Sequence, residues 1–134
     1  MIALLGGSGY VGSKFTEVLA SRGWKFCGLS RTEVDYADAS VLRDWMRVER
    51  PRFLINAAGY TGKPNVDACE HNKAECLMGN AVLPGGIREV CEELGVTWGH
   101  VSSGCTYSGR RPDGGGWLET DSPNFSFRSP PCSF

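Results

Sequence analysis

The sequence predicts an α/β fold, a doubly wound parallel sheet with helices on both faces, and three observations carry that prediction. Short apolar runs alternate along the chain with segments of helical periodicity, the pattern of parallel strands joined by crossover helices. The first run, Ile2-Ala3-Leu4-Leu5, passes into glycines at Gly6, Gly9 and Gly12 and then directly into a helical pattern. A later run ends in the small residues Ala57-Ala58-Gly59, at the strand end where ligands of open α/β sheets bind. The strand order this implies is 3-2-1-4-5, with right-handed connections.

Each element follows from its residues. From Tyr10 to Arg22, Val11, Phe15, Val18 and Leu19 fall at helical spacing, and Gly23 stops the helix. Trp24 to Leu29 is short and apolar enough for a second strand, closing on Ser30 and Arg31. Val34-Asp35-Tyr36 is expected to be a short third strand. Asp38 or Ser40 caps a helix carrying Val41, Leu42, Trp45, Met46 and Val48, which Pro51 ends. Phe53 to Gly59 is the fourth strand. Tyr60 to Asp67 is a polar loop, with a helical segment starting near Val66. Asn72 to Leu94 forms a longer helix that Pro84-Gly85-Gly86 is expected to kink or break. Asn80 lies at its centre, where a buried amide needs a polar partner. Val96 to Ser102 is the fifth strand. Residues 1–107 are therefore read as the sheet domain, and 108–134, rich in Gly, Pro, Ser and Arg without a clear period, as a long loop.

Composition narrows the class of partner. With 134 residues, 14 Lys and Arg against 15 Asp and Glu, and no run of like charge, the chain is expected to bind neither nucleic acid nor an acidic membrane; a small molecule is the expected partner. The six cysteines include no C-x-x-C pair and read as reduced thiols, and no metal site is expected. No apolar run approaches the ~20 residues of a membrane span, and a cytoplasmic protein is expected.

The chemistry concentrates at the strand ends. Gly6 allows a turn that a side chain would obstruct, Gly9 lets the main chain approach a phosphate closely, and Gly12 lets the helix lie against the strand. The free amides of the first helical turn then face a pyrophosphate. The same glycines also fit a turn without a ligand. At the end of strand two an acid would hold a ribose 2′-hydroxyl, whereas a cation accommodates a 2′-phosphate. Arg31 stands there, which favours NADP over NAD, although a solvated surface Arg is equally consistent with its position.

At this point the residues resemble the extended short-chain dehydrogenases/reductases that act on nucleotide sugars. Gly6-Gly7-Ser8-Gly9-Tyr10-Val11-Gly12 is similar to the family's G-x-x-G-x-x-G, Asn56-Ala57-Ala58-Gly59 to its N-A-A-G, and Ser102-Ser103 to its strand-five serine pair. Within it the likeness is to dTDP-4-dehydrorhamnose reductases and nucleotide-rhamnose epimerase-reductases, carried by Asn56 to Glu70, Gly104-Cys105 and Glu119 to Phe125. The resemblance implies that Gly6, Ser8, Gly9, Tyr10 and Val11 hold the pyrophosphate, Arg31 the 2′-phosphate, and Asp35 with Tyr36 the adenine. Ala57, Ala58, Gly59 and Tyr60 would line the ribose and nicotinamide side, and Asn80 is the family's structural Asn. Ser103 matches the hydroxyl that hydrogen-bonds the sugar C4 carbonyl oxygen. Cys105 matches a cysteine that acts as acid or base in C3/C5 epimerisation, and equally fits a small buried thiol at a strand end.

The implied activity is an NADP-dependent reductase or epimerase-reductase of nucleotide-linked 4-keto-6-deoxy sugars. The alternatives are a 4-epimerase or 4,6-dehydratase that retains NAD, and a dinucleotide-binding module without catalysis. In the family a Tyr with a Lys four residues on protonates the sugar oxygen. The sequence ends at Phe134, where that pair would follow, and Tyr60 and Tyr107 have Pro64 and Arg111 at the Lys position. The 134-residue chain is therefore expected to be inactive and marginally stable, with an open sheet edge. A homodimer is a further arrangement for a full-length enzyme.

Overall fold

Four short runs, each four residues long, pair side by side because their amides and carbonyls find partners only in a neighbouring strand. The computed structural model describes residues 1–102 and 106–124. The elements are β1 (Ile2–Leu5), α1 (Tyr10–Ser21), β2 (Phe26–Leu29), α2 (Ala39–Glu49), β3 (Phe53–Asn56), a 3₁₀ turn (Val66–Glu70), α3 (Lys73–Leu77), a π-helical stretch (Met78–Val82), α4 (Leu83–Leu94) and β4 (Thr97–His100). The strands form one parallel sheet of order β2-β1-β3-β4. Met1–Val101 forms one compact unit, and Ser102 begins a second.

Side-chain alternation along β1 splits the core in two. On one face Ala3 and Leu5 join Leu54 of β3, Leu42 and Met46 of α2, and Ile87, Val90 and Cys91 of α4, all buried. On the other, Leu4 and Ile55 pack with Leu19 of α1 and, more loosely, Phe15. Helices thus cover both faces, the layering of a Rossmann-like fold. Full burial of each such aliphatic side chain contributes roughly 1.5–3 kcal/mol.

The structure departs from the sequence reading in three places. Val34-Asp35-Tyr36 forms turns and no strand, so the five-strand order 3-2-1-4-5 is not found. Three residues offer too few ladder bonds, and Tyr36 is buried in the core through the turn itself. The strands are also shorter than expected, beginning at Phe26 and ending at Asn56 and His100, with Lys25, Ala57 and Val101 each adding one backbone bond to the neighbouring strand. Finally, Pro84-Gly85-Gly86 breaks nothing. Helical conformation is continuous from Lys73 to Leu94, Val82 and Leu83 being right-handed helical just before Pro84, so the amide that Pro84 lacks is a bond missing from the π-helical stretch behind it. The irregularity falls earlier, at the π-helical Met78–Val82. Elsewhere local chemistry sets the boundaries. The Asp38 carboxylate caps α2, accepting from the Ser40 amide at 2.8 Å, and Arg50 ends it in a left-handed conformation (φ 49°) just before Pro51.

Candidate functional site

At the carboxyl ends of the strands a cleft of about 790 Å³ opens within the first unit. Its walls come from three strand ends and the π-helical stretch. The glycine loop supplies Gly6, Gly7, Ser8 and Gly9, the β2 end supplies Ser30, Arg31 and Glu33, and the β3 end supplies Ala57 to Tyr60.

The glycine loop is closed by the Gly9 amide donating to the Gly6 carbonyl at 3.0 Å. Gly6 has φ +73°, and a Cβ there would lie 2.6 Å from the Ala58 nitrogen. A Cβ on Gly12 would collide with the Gly6 carbonyl. These two glycines are thus demanded by the fold alone. Gly9 is different: a Cβ on it would meet only the Gly6 oxygen, at 3.3 Å. Gly9 also caps α1 without a side-chain hydrogen bond, and no acidic residue lies in the helix's first turn. The amino end of α1 therefore keeps unpaired amides and a positive dipole end, the preference of an anion.

The β2 end carries both signs of charge. Arg31 and Glu33 line the same part of the cleft, and the Ser30 hydroxyl donates to the Glu33 carboxylate at 2.6 Å. Tyr36 lies in the wall beneath them; burial pushes its hydroxyl pKa above 10.0, while Arg31 and the Gly6 backbone act in the opposite sense.

The β3 end is held from two sides. Asn56 is fully buried, and its side-chain oxygen accepts from the Ala58 amide at 3.0 Å. Asn80, in the π-helical stretch, grips Tyr60 twice: its oxygen accepts from the Tyr60 amide and its nitrogen donates to the Tyr60 carbonyl, both at 2.8 Å. Gly79 permits this approach, since a Cβ there would lie 2.8 Å from the Tyr60 Cβ. A π-bulge at a ligand cleft is a frequent arrangement.

Of the residues singled out from sequence, Gly6, Ser8, Gly9, Arg31, Tyr36, Ala57, Ala58, Gly59 and Tyr60 line this one cleft. Asn80 stands behind Tyr60. Tyr10 and Val11 turn their side chains outward, 89% and 41% exposed, leaving only their amides to face a ligand. Asp35 is not in the wall. Ser103 and Cys105 lie outside the described residues. Sequence reasoning passed over Glu33, Glu75, Met78, Gly79 and Val82, which line the cleft. Glu33 carried a signal, an acid two residues from the β2 end; the others come from the π-helical stretch and the turn before it, which have no sequence signature. Also passed over was a Tyr-x-x-x-Lys spacing, Tyr10 to Lys14. It lies outside the cleft, and Lys14 pairs with Glu17 at 2.8 Å.

The described residues of the second unit are organised by Tyr107. Its ring stacks on Trp117 at 5.4 Å, and its hydroxyl donates to the carbonyls of Leu118 and Asp121 at 3.0 and 2.8 Å. Asn124 bonds the Ser108 amide and carbonyl in turn. Among all described residues, no group of three or more His, Cys, Asp or Glu is placed to hold a metal ion, and no helix is long and apolar enough to cross a membrane. Cys27, Cys69, Cys76 and Cys91 are free thiols.

Comparison with known proteins finds one matching family and several partial relatives. The model of the family described as RmlD substrate binding domain matches residues 1–125. A trifunctional UDP-glucose 4,6-dehydratase/UDP-4-keto-6-deoxy-D-glucose 3,5-epimerase/UDP-4-keto-L-rhamnose-reductase of Arabidopsis thaliana is 31% identical over 128 residues, covering 92% of this chain and 18% of that protein. The UDP-rhamnose synthase of Acanthamoeba polyphaga mimivirus superposes with a TM-score of 0.80 at 24% identity, covering 93% of this chain and 46% of that one. A dTDP-4-dehydrorhamnose reductase of Bacillus anthracis, solved with NADP, superposes with a TM-score of 0.76 at 21% identity, covering 91% and 42%. The chain thus spans less than half the length of each of these proteins.

Proposed function

We propose a function from one premise: this chain belongs to the RmlD substrate binding domain family. On that premise the cleft holds a nicotinamide dinucleotide, NADP in preference to NAD, for a reductase or epimerase-reductase of nucleotide-linked 4-keto-6-deoxy sugars. One observation carries the reading: the glycine loop, Arg31 and the Ala57–Tyr60 segment bound a single cleft. The cleft fits the group. An uncapped helix terminus suits a pyrophosphate, Gly9 leaves the main chain open to close approach, and Arg31 suits a 2′-phosphate. Bound there, the dinucleotide supplies a hydride to the sugar carbonyl.

In this reading the chain's own residues bind and orient. Asn80 fixes Tyr60, and Asn56 fixes Ala58, on the side where the nicotinamide ring would lie. Ser103 would donate to the developing sugar oxyanion, a role that rests on the sequence resemblance. Cys105 would move the protons of C3/C5 epimerisation on the same footing. Neither tyrosine in the cleft wall, Tyr36 or Tyr60, has a Lys four residues on. The 134-residue chain would thus hold the dinucleotide without reducing the sugar at an appreciable rate, because general acid catalysis contributes typically ~10²–10⁴-fold.

Glu33 supports a second reading. A carboxylate in the corner of the cleft near Arg31 suits a ribose 2′-hydroxyl, as in a 4-epimerase or 4,6-dehydratase that retains NAD. Titrating the chain with NADPH and NADH separates the two. Tighter binding of NADPH, together with no NADPH oxidation above background on adding a UDP- or dTDP-4-keto-6-deoxy sugar, is the expected result. Tighter NADH binding would favour the second reading, and no binding of either would remove both.

A further inference from the structure

We infer that His100 is a positioning residue for the cleft, its Nδ1 lone pair fixing Asn56 and, through Asn56, the Ala57–Ala58 wall. The inference rests on the reading of the cleft as a dinucleotide site.

Asn56 ends β3 and stands opposite His100 of β4 in the ladder. Its side chain is fully buried, so both ends of the amide need partners. The Ala58 N–H can only donate, so the Asn56 atom 3.0 Å from it must be the oxygen. Rotating the amide would set NH₂ against N–H, two donors face to face. The Asn56 Nδ2 therefore points the other way, to the His100 Nδ1 at 3.1 Å. Because Nδ2 can only donate, that ring nitrogen must accept. The His100 proton then resides on Nε2.

The bond from Ala58 to Asn56 spans two residues and turns the chain just after the strand. That turn carries the Ala57–Ala58 backbone under the glycine loop, so tightly that a Cβ on Gly6 would lie 2.6 Å from the Ala58 nitrogen and 2.7 Å from the Ala57 carbonyl carbon. Two walls of the cleft thus meet at a contact whose position is set from β4. Without an acceptor at position 100, Asn56 loses the only partner found for its Nδ2 among the described residues, and its rotation is no longer opposed from that side. The wall would shift against the glycine loop, where the dinucleotide is read to lie.

Two variants separate positioning from mere stability. In His100→Asn the amide oxygen falls near the place of Nδ1 and can accept, whereas His100→Leu offers no acceptor. NADPH affinity is measured well below the melting temperature of each. The expected result is a loss of about tenfold or more in His100→Leu and retention within about threefold in His100→Asn. Independently, ¹⁵N NMR of the imidazole at pH 8 should show a protonated Nε2 and an unprotonated Nδ1, and amide exchange at Ala58 should quicken in His100→Leu only. A proton on Nδ1, unchanged affinity in His100→Leu, or equal loss in both variants would overturn the inference. If the wild type binds neither NADPH nor NADH, the dinucleotide reading fails. The tautomer and the Ala58 exchange rates still decide whether His100 positions the wall.

Discussion

The sheet has a hollow at each end, of similar size and opposite character. At the carboxyl ends of the strands the cleft of about 790 Å³ is walled largely by backbone and small side chains and receives the amino end of α1. At the amino ends a hollow of about 590 Å³ is lined by Met46, Arg47, Arg50, Pro51, Arg52, Leu94, Gly95 and Val96, where α2 and α4 terminate. Three guanidinium groups make the second hollow the more cationic by formal charge. Yet it faces the carbonyl ends of two helices, whose dipoles oppose an anion, and Arg47 is already paired with Glu93 at 2.9 Å. The strand-to-helix polarity of a parallel sheet sends free amides to one end and free carbonyls to the other. An anion site needs the first, and counting arginines would choose the wrong end.

The comparison breaks most visibly at the glycines. Gly12→Ala sets a methyl group against the Gly6 carbonyl and should destabilise the chain by about 3 kcal/mol, the upper range for overpacking, read as a lower denaturant midpoint. Gly9→Ala meets only one oxygen at 3.3 Å. Its folding stability should change by less than about 1 kcal/mol while NADPH affinity falls about tenfold, because the added methyl would take the space proposed for the phosphate. Equal loss of stability in the two would dissolve the distinction between a glycine the fold demands and one the ligand demands.

Arg31→Ala should lower the ratio of NADPH to NADH affinity by about five- to tenfold, measured by titration, with little change for NADH. At the opposite end, Arg50→Gly relieves a left-handed residue (φ 49°). It should raise stability by about 1 kcal/mol and leave both affinities untouched. The smallest effect concerns Glu93, whose carboxyl Arg43 and Arg47 hold below its ordinary 4.5. A depressed folded pKa stabilises above that value and is lost as pH falls through the lowered one. The melting temperature of Glu93→Gln should therefore lie slightly below wild type at pH 7, with the gap closing toward pH 3.

Much of the fold was legible because its signals are local. The run from Ile2 to Gly12 encodes strand, turn and helix within eleven consecutive positions, and Gly6, Gly9 and Gly12 each meet a specific backbone atom there. Asp38 and Gly23 likewise act on their own neighbours. The reading failed where a residue's fate was decided at a distance. Val34-Asp35-Tyr36 reads as a short strand, but Tyr36 reaches the core through a turn. Pro84-Gly85-Gly86 reads as a break, whereas the helix runs through it and the irregularity is the π-helical stretch just before, which sets Gly79 and Asn80 against Tyr60, twenty positions from Asn80. His100 gave no signal at all, since its partner Asn56 is 44 residues away.

The account stands on where a dinucleotide settles. Titrating the ¹⁵N-labelled chain with NADPH and following the amide resonances tests it directly. The prediction is saturable shifts at Gly6, Gly9, Arg31 and Ala58, with Arg50 and Arg52 unmoved. Shifts centred on Arg50 and Arg52 with the glycine loop silent, or no saturable shifts anywhere, would contradict it.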